Sequence, residues 1–399
     1  MVSVRWREDG YYETATSRHI ATMEYASTHS RIPIEQRQFM GNVDGTSCFM
    51  NSLLVAILFP RMRGFFDDNM LRNDLASSPQ VCDLSLRQQV QSAVYEVAAL
   101  LRGVTSKQVP HLRQRINACA SHLMKDMSFS HGQQDPNELL TYLMNVCGIK
   151  ALFQTSQVTL KVYGPGAPDG GERVEKNRVT EDQIFESVFQ YVLGNTMPTL
   201  SEYFPRETVD DMPPNEYGLV EKRVQVNYVR GRVVCFTRER NPGGGMRIDY
   251  GTYDDQTNAC ILTVRDEEGE PVRFRLESVV CWNGSQSHHD SFGHYVAYAY
   301  YSPTKRWVFY DDAMGGRPTL LDSGKTPETF PLGNQPTYMF AQNQNPAGPR
   351  WLVRRNDTGE IRALPDEKAW REAHDQVHMQ RLNPWRPSTQ GTMFFYSKL

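Results

Sequence analysis

Residues 41–59, GNVDGTSCFMNSLLVAILF, decide how this chain is read. Asp44 and Gly45 mark a turn, Thr46 or Ser47 can cap, and an apolar helix then starts at Cys48. A cysteine in a first helical turn meets unpaired backbone N–H groups and the positive end of the helix dipole, and both favour thiolate. Two readings stand at this point: a nucleophile, or a small buried hydrophobe like most free cysteines. Cys82, Cys119, Cys147, Cys235, Cys260 and Cys281 have no comparable setting and read as core residues. None of the seven cysteines falls in a C-x-x-C pair, so neither a disulfide framework nor a cysteine-built zinc site is expected. Reduced thiols then point to cytosol or nucleus.

A nucleophilic cysteine needs a base, and the base needs an orienter. The segment GHYVAYAYYSPTKRWVFYDDAMGG (293–316) offers both. Tyr295–Tyr301 and Arg306–Tyr310 read as two strands around a Ser-Pro-Thr-Lys turn. A turn centred on Ser302 and Pro303 gives paired residues a number sum of 605, which sets Asp311 directly across from His294. Asp312 points to the other face unless the strand ends there, and a one-residue slip would exchange the two aspartates. A lone histidine is more often a satisfied structural residue, and an Asp-Asp pair more often turn chemistry. Gly293, the opposed carboxylate and the helix-start cysteine together raise His294 above that reading. His288 and His289 lie in the polar loop before it. His374 and His378 share a helix face but lack the Glu of a zinc-protease motif.

Around these segments lie 399 residues, 39% apolar and 22% charged, enough for a sizeable core, so global disorder is excluded. With 43 basic and 46 acidic side chains, nothing in the charge favours nucleic acid or a membrane surface as partner. The N-terminus has no apolar signal region, and the longest apolar run, Leu53 to Phe59, is far below the ~20 residues a bilayer requires. Residues 1–40 are polar and aperiodic and read as an arm. Helical periodicity runs from Cys48 to Cys147, with apolar spacing over 84–102 and Pro136 opening another helix. From 151 onward the chain is β-rich: 158–163, 222–229 and 232–238 read as strands. Thr180 with Gln183 signals a helix start. Gly- and Pro-rich stretches at 164–171 and 241–245 are turns. Seven prolines between Pro318 and Pro365 precede a helix expected over 366–382, and TMFFYS (392–397) is strand-like.

At these residues the chain resembles the ubiquitin-specific proteases, papain-like deubiquitinating cysteine peptidases. GTSCFMNSLL (45–54) resembles their cysteine box, and GHYVAY (293–298) with W-x-F-x-D-D (307–312) their histidine box. QQDPNELLTYL (133–143), TLSEYF (199–204), RVVCFTRER (232–240) and the terminal TMFFYS fall in the family's order, TLSEYF as the short helix after the fingers. The resemblance implies an α+β right-hand fold with a helical thumb, a β palm and reduced β fingers. It divides the chain into an extension (1–40) and a catalytic domain (41–399). Within the latter lie thumb (41–150), fingers (151–230), palm (231–312), an insertion or extension (313–390) and a closing strand (391–399).

By the same resemblance Cys48 is the nucleophile, His294 the general base and then acid, and Asp311 the orienter, with Asp312 secondary. Asp135 and Glu138 match positions that meet the basic tail of ubiquitin, although helix N-terminal acid preference accounts for them equally well. The implied partner is ubiquitin or a ubiquitinated protein, with neither metal nor organic cofactor. Three departures stand out. Val43 occupies the family's usual oxyanion asparagine position, leaving Asn42, one residue earlier, as a candidate donor. The fingers lack paired zinc cysteines. The loop from Gly284 to Phe292 is long, and Phe292 stands where glycine is usual, beside Gly293 and the channel for a Gly-Gly terminus. Two further readings fit the same residues: a weak or inactive ubiquitin-binding module, and a hydrolase for another ubiquitin-like modifier.

Overall fold

The computed structural model describes residues 32–42, 46–60, 62–77, 82–123, 134–149, 154–163, 174–181, 200–203, 206–211, 221–230, 232–238, 247–266, 268–287, 290–329, 338–342, 351–355, 361–369 and 386–399. Helix α1, Cys48–Leu58, is apolar on every side apart from Asn51 and Ser52, and all its residues are buried. A helix of that kind belongs in the middle of a core. Helix α2, Leu84–Leu101, lays its expected stripe of Val90, Val94, Val97 and Leu101 into the same core. After the short helices α3, Leu112–Ile116, and α4, Ala120–Leu123, comes α5, Pro136–Cys147. Proline stands in the first turn of α5, Asp135 accepts from Asn137 N–H at 2.8 Å as its N-cap, and Gly148 ends it at a φ of 68°.

Against α1 packs an antiparallel sheet built from β5 (Val233–Thr237), β6 (Thr252–Asp254), β7 (Ala259–Arg265), β8 (Pro271–Ser287), β9 (Asp290–Tyr301), β10 (Arg306–Tyr310), β11 (Thr319–Leu320) and β15 (Gly391–Lys398). Its main path is β11-β10-β9-β8-β15-β5, so the last strand of the chain inserts between β8 and β5. One face, with Val280, Trp282, Tyr295, Ala297 and Tyr310, joins the α1 core; the other, with Val296, Tyr298, Phe309 and Tyr396, forms a second core. Strand alternation thereby separates neighbours in sequence onto opposite sides.

A second sheet, order β2-β1-β4-β3, comprises β1 (Gln154–Tyr163), β2 (Val174–Glu181), β3 (Arg206–Asp211) and β4 (Glu221–Arg230). The helical turn Leu200–Tyr203 falls between its second and third strands, not after the sheet. Thr180 lies inside β2, and the helix expected beyond it is outside the described residues. So are the two glycine-rich turns, His288, His289, His374 and His378.

Four expectations are corrected. Residues 284–287 and 290–292 are strand and not loop: β8 and β9 stay paired out to Ser287 with Asp290. Residues 32–40 belong to the body, not to an arm. Phe39 is fully buried between the rings of Phe59 and Tyr310, and the Arg37 guanidinium donates to the carbonyls of Ile32 and Leu101. Cys82 and Cys119 are joined in a disulfide, so these two are not free core thiols. The proline-rich stretch carries an unanticipated three-stranded sheet of β12 (Tyr338–Gln342), β13 (Trp351–Arg355) and β14 (Ile361–Leu364). Of the helix expected over 366–382, residues 367–369 are helical and 370–382 lie outside the described residues.

Return of the chain after β10 requires a glycine. Gly316 has a φ of +72°, its carbonyl accepts from Phe39 N–H at 2.7 Å, and a Cβ there would lie 2.6 Å from the Met40 carbonyl oxygen. This contact seats residues 39–42 beside the start of α1.

Candidate active site

Cys48 is the first residue of α1 and 2% exposed. Ser47 is the N-cap residue, but its side chain makes no capping bond. Instead its Oγ donates to Asn42 Oδ1 at 3.0 Å, and its N–H to the same oxygen at 3.1 Å.

His294 comes from β9 and Asp311 from just beyond β10. The ladder pairs Tyr301 with Arg306 and Ala297 with Tyr310, a number sum of 607 in place of 605. The expected direct opposition of His294 and Asp311 is therefore wrong by two residues. A two-residue shift preserves the face, so Asp311 remains on the side of His294 as a diagonal neighbour. β10 stops at Tyr310, and Asp311 caps the 3-10 turn Asp312–Met314 by accepting from Ala313 N–H at 2.9 Å. The same Oδ1 lies 2.7 Å from His294 Nε2. The imidazole is also hydrogen-bonded to the Cys48 side chain. With Nε2 committed to the carboxylate, Nδ1 is the nitrogen left for the thiol.

Burial of the imidazole works against its charge, but the hydrogen bonds to Asp311 and Cys48, with their electrostatic attraction, outweigh that and push the pKa of His294 up to about 10. Asp312 sits on the α1 side and is 2% exposed. Its Oδ2 accepts from Asn51 Nδ2 at 2.9 Å, and its Oδ1 stands 3.7 Å from His294 Nε2. His294, Asp311 and Asp312 are the one group of ligand-type side chains among the described residues close enough to share an ion. The 2.7 Å between Nε2 and Oδ1 is a hydrogen-bond length, shorter than the ~3.3 Å separating two ligands of a tetrahedral zinc with bonds near 2.0–2.1 Å.

The other free thiols are isolated from such chemistry. Burial pushes Cys147 up to about 12 and raises Cys235, Cys260 and Cys281 as well. Of the remaining sequence candidates, Asp135 and Glu138 occupy the start of α5, the former engaged in capping. Gly293 pairs with Gly284, and Phe292 with Ser285, along the β8–β9 ladder. The side chain of Phe292 and residues 43–45, including Val43, are outside the described residues. Sequence reasoning missed Asn51 and read Ser47 only as a possible cap. The available signal was a carboxamide one helical turn after Cys48 in an otherwise apolar run.

A buried thiol at a helix start, hydrogen-bonded to an imidazole that a carboxylate holds, is the arrangement of a cysteine hydrolase. Residues 42–317, well over half the chain, match the sequence profile of the family described as "Ubiquitin carboxyl-terminal hydrolase". The chain belongs to that family: it is a cysteine-type ubiquitin C-terminal hydrolase, a deubiquitinating peptidase with helices packed on an antiparallel sheet in the papain-like manner. A search of curated protein sequences finds no significant match. Among solved structures, the chain is similar to one of the SAGA Ubp8/Sgf11/Sus1/Sgf73 DUB module bound to ubiquitin aldehyde, at 11% identity over 98% of this chain and 76% of that one, with a TM-score of 0.49. The same figures hold for a Ubp8-containing SAGA module bound to monoubiquitin. A yeast SAGA DUB module gives 12% identity, 93% and 72% coverage, and a TM-score of 0.48. Likeness at this level carries no functional argument, and the assignment rests on the matched family profile.

Proposed function

We propose that the protein hydrolyses the isopeptide bond after the C-terminal glycine of ubiquitin, with Cys48, His294 and Asp311 as its catalytic groups. Cys48 Sγ attacks the glycine carbonyl carbon, and the imidazolium of His294 gives its proton to the departing lysine amine. A thioester remains on Cys48. His294, now neutral, takes a proton from water, which attacks the thioester and releases the free carboxylate. Asp311 keeps the imidazole oriented and supports its charge, while Asp312 is a second, buried carboxylate behind it. The backbone N–H of Cys48 and the Asn42 amide are the donors for the oxyanion. The observation that carries this reading is the position of His294, held by Asp311 on Nε2 and hydrogen-bonded to Cys48.

In this reading the helical part is the thumb, the sheet β1–β4 the fingers and the large sheet the palm. Asp135 and Glu138 meet the basic tail of the modifier, and Phe292 and Gly293 border the channel for its terminus. The test is a panel of C-terminal electrophiles built on ubiquitin and on other ubiquitin-like modifiers. Ubiquitin should label the wild type, and Cys48→Ala should abolish both labelling and hydrolysis. Efficient labelling of that variant at another cysteine would sink the assignment of the nucleophile. Labelling by a different modifier alone would move the substrate. Ubiquitin binding with no labelling would make the chain a binding module.

A further inference from the structure

We infer that Asn51 is a positioning residue that joins the carboxylate side of the site to its oxyanion side through one closed circuit of hydrogen bonds. This rests on the reading of Cys48 and Asn42 given above. Asn51 is 1% exposed and lies at i+3 from Cys48, a single carboxamide between Met50 and Ser52 on a helix whose every residue is buried. Its Nδ2 donates to Asp312 Oδ2 at 2.9 Å and to Ser47 Oγ at 3.2 Å, with the Gly41 carbonyl at 3.4 Å as a weaker third acceptor. Ser47 then donates to Asn42 Oδ1. The Asn42 backbone N–H closes the ring on the Asp312 carbonyl at 3.4 Å. Asp312, Asn51, Ser47 and Asn42 thus encircle the start of the nucleophile's helix.

The direction of every bond follows from its carboxylate end. Asp312 Oδ2 accepts from Asn51, so Asn51 turns its NH₂ toward Asp312. That NH₂ can only donate, so Ser47 Oγ accepts from it and has its own proton free. Asn42 must then receive that proton on its carbonyl oxygen. Its Oδ1 end is consequently locked against Ser47, and its Nδ2 has no acceptor among the described residues. Held by its Oδ1 end, the amide presents Nδ2 as the donor for a developing oxyanion. The circuit supplies what the sequence lacks at Val43: through Ser47 Oγ, Asn51 reinforces the orientation of Asn42 that the Ser47 N–H also fixes. It also couples that orientation to Asp312, whose other oxygen faces His294.

The experiment compares Asn51→Leu and Ser47→Ala with the wild type. Ubiquitin aldehyde, which adds Cys48 to give a tetrahedral oxyanion, is set against ubiquitin itself, which does not. Asn51→Leu should lower kcat about 10²-fold with KM nearly unchanged, the size of effect expected from a small misplacement of a catalytic group. The preference for ubiquitin aldehyde over ubiquitin should fall by a comparable factor. Ser47→Ala, which removes the hydroxyl between Asn51 and Asn42 and leaves the Ser47 N–H on Asn42 Oδ1, should lower kcat and the same preference by about tenfold. It also serves as the test should Asn51→Leu fail to fold. Unchanged preference for the aldehyde in both variants would overturn the inference, whether or not thermal stability falls. Wild-type protein that neither binds nor hydrolyses ubiquitin would instead overturn the substrate reading, and the inference with it.

Discussion

Asp311 reaches His294 one diagonal step beyond the last rung of the β9–β10 ladder, which pairs Tyr310 with Ala297. The carboxylate is held there by ending the strand, since the oxygen that meets Nε2 also caps the turn at Ala313. Orientation of the imidazole and termination of the strand are thus the same interaction.

The first prediction concerns pH. The pKa of His294 is raised in the folded protein to about 10 against burial, by its bonds to Asp311 and Cys48. A raised pKa means that the charged imidazole is stabilised, a contribution complete below its ordinary value near 6.5 and lost as pH rises through about 10. Asp311→Asn removes the larger of those two bonds. The alkaline limb of kcat/KM should therefore move to lower pH, and kcat should fall by at least about 10²-fold. A pH–rate profile of both proteins checks it. An unmoved limb would mean that Asp311 does not set the charge of His294.

The second prediction tests the boundary of the folded body. Phe39 is fully buried against Phe59 and Tyr310, so Phe39→Ala should cost about 3–5 kcal/mol. Urea unfolding measures this. A change below ~1 kcal/mol would return residues 32–40 to the status of an arm.

Gly316→Ala should destabilise by a few kcal/mol, because it adds both a strained left-handed backbone and a Cβ 2.6 Å from the Met40 carbonyl oxygen. The same displacement would disturb residues 39–42, so kcat should drop along with the melting temperature. Wild-type activity in a destabilised variant would show that the contact supports the fold alone.

Peptide mapping under non-reducing conditions should recover Cys82 linked to Cys119. With a sequence separation of 37 between the two, the chain-entropy relation gives a stabilisation of about 3–4 kcal/mol. Cys82→Ser should therefore unfold at lower denaturant without added reductant and match the wild type in its presence. Equal midpoints in both conditions would show that the bond is absent in solution.

Much of this protein is legible because its signals are local. An apolar run after a turn makes α1 and puts Cys48 at its start; Asp135 and Pro136 open α5; a Ser-Pro-Thr-Lys turn makes the β9–β10 hairpin. Each is decided by residues a few positions apart, which is the range over which capping, helical spacing and turn chemistry act. The exact pairing within that hairpin was not legible. The turn holds four residues, Ser302 to Lys305, and closes with Lys305 at a φ of 53°, a conformation that usually announces itself by glycine or asparagine.

The sequence by itself determined that a helix-start thiol, a histidine and a pair of aspartates had to be brought to one cleft. Only the tertiary structure decided which aspartate takes which task. Alternation across the sheet and the end of β10 turn Asp311 to His294 and Asp312 to α1, where Asn51 receives it across 261 positions of chain. Contacts of that separation depend on how a sheet face and a buried helix pack together, and no local propensity encodes them.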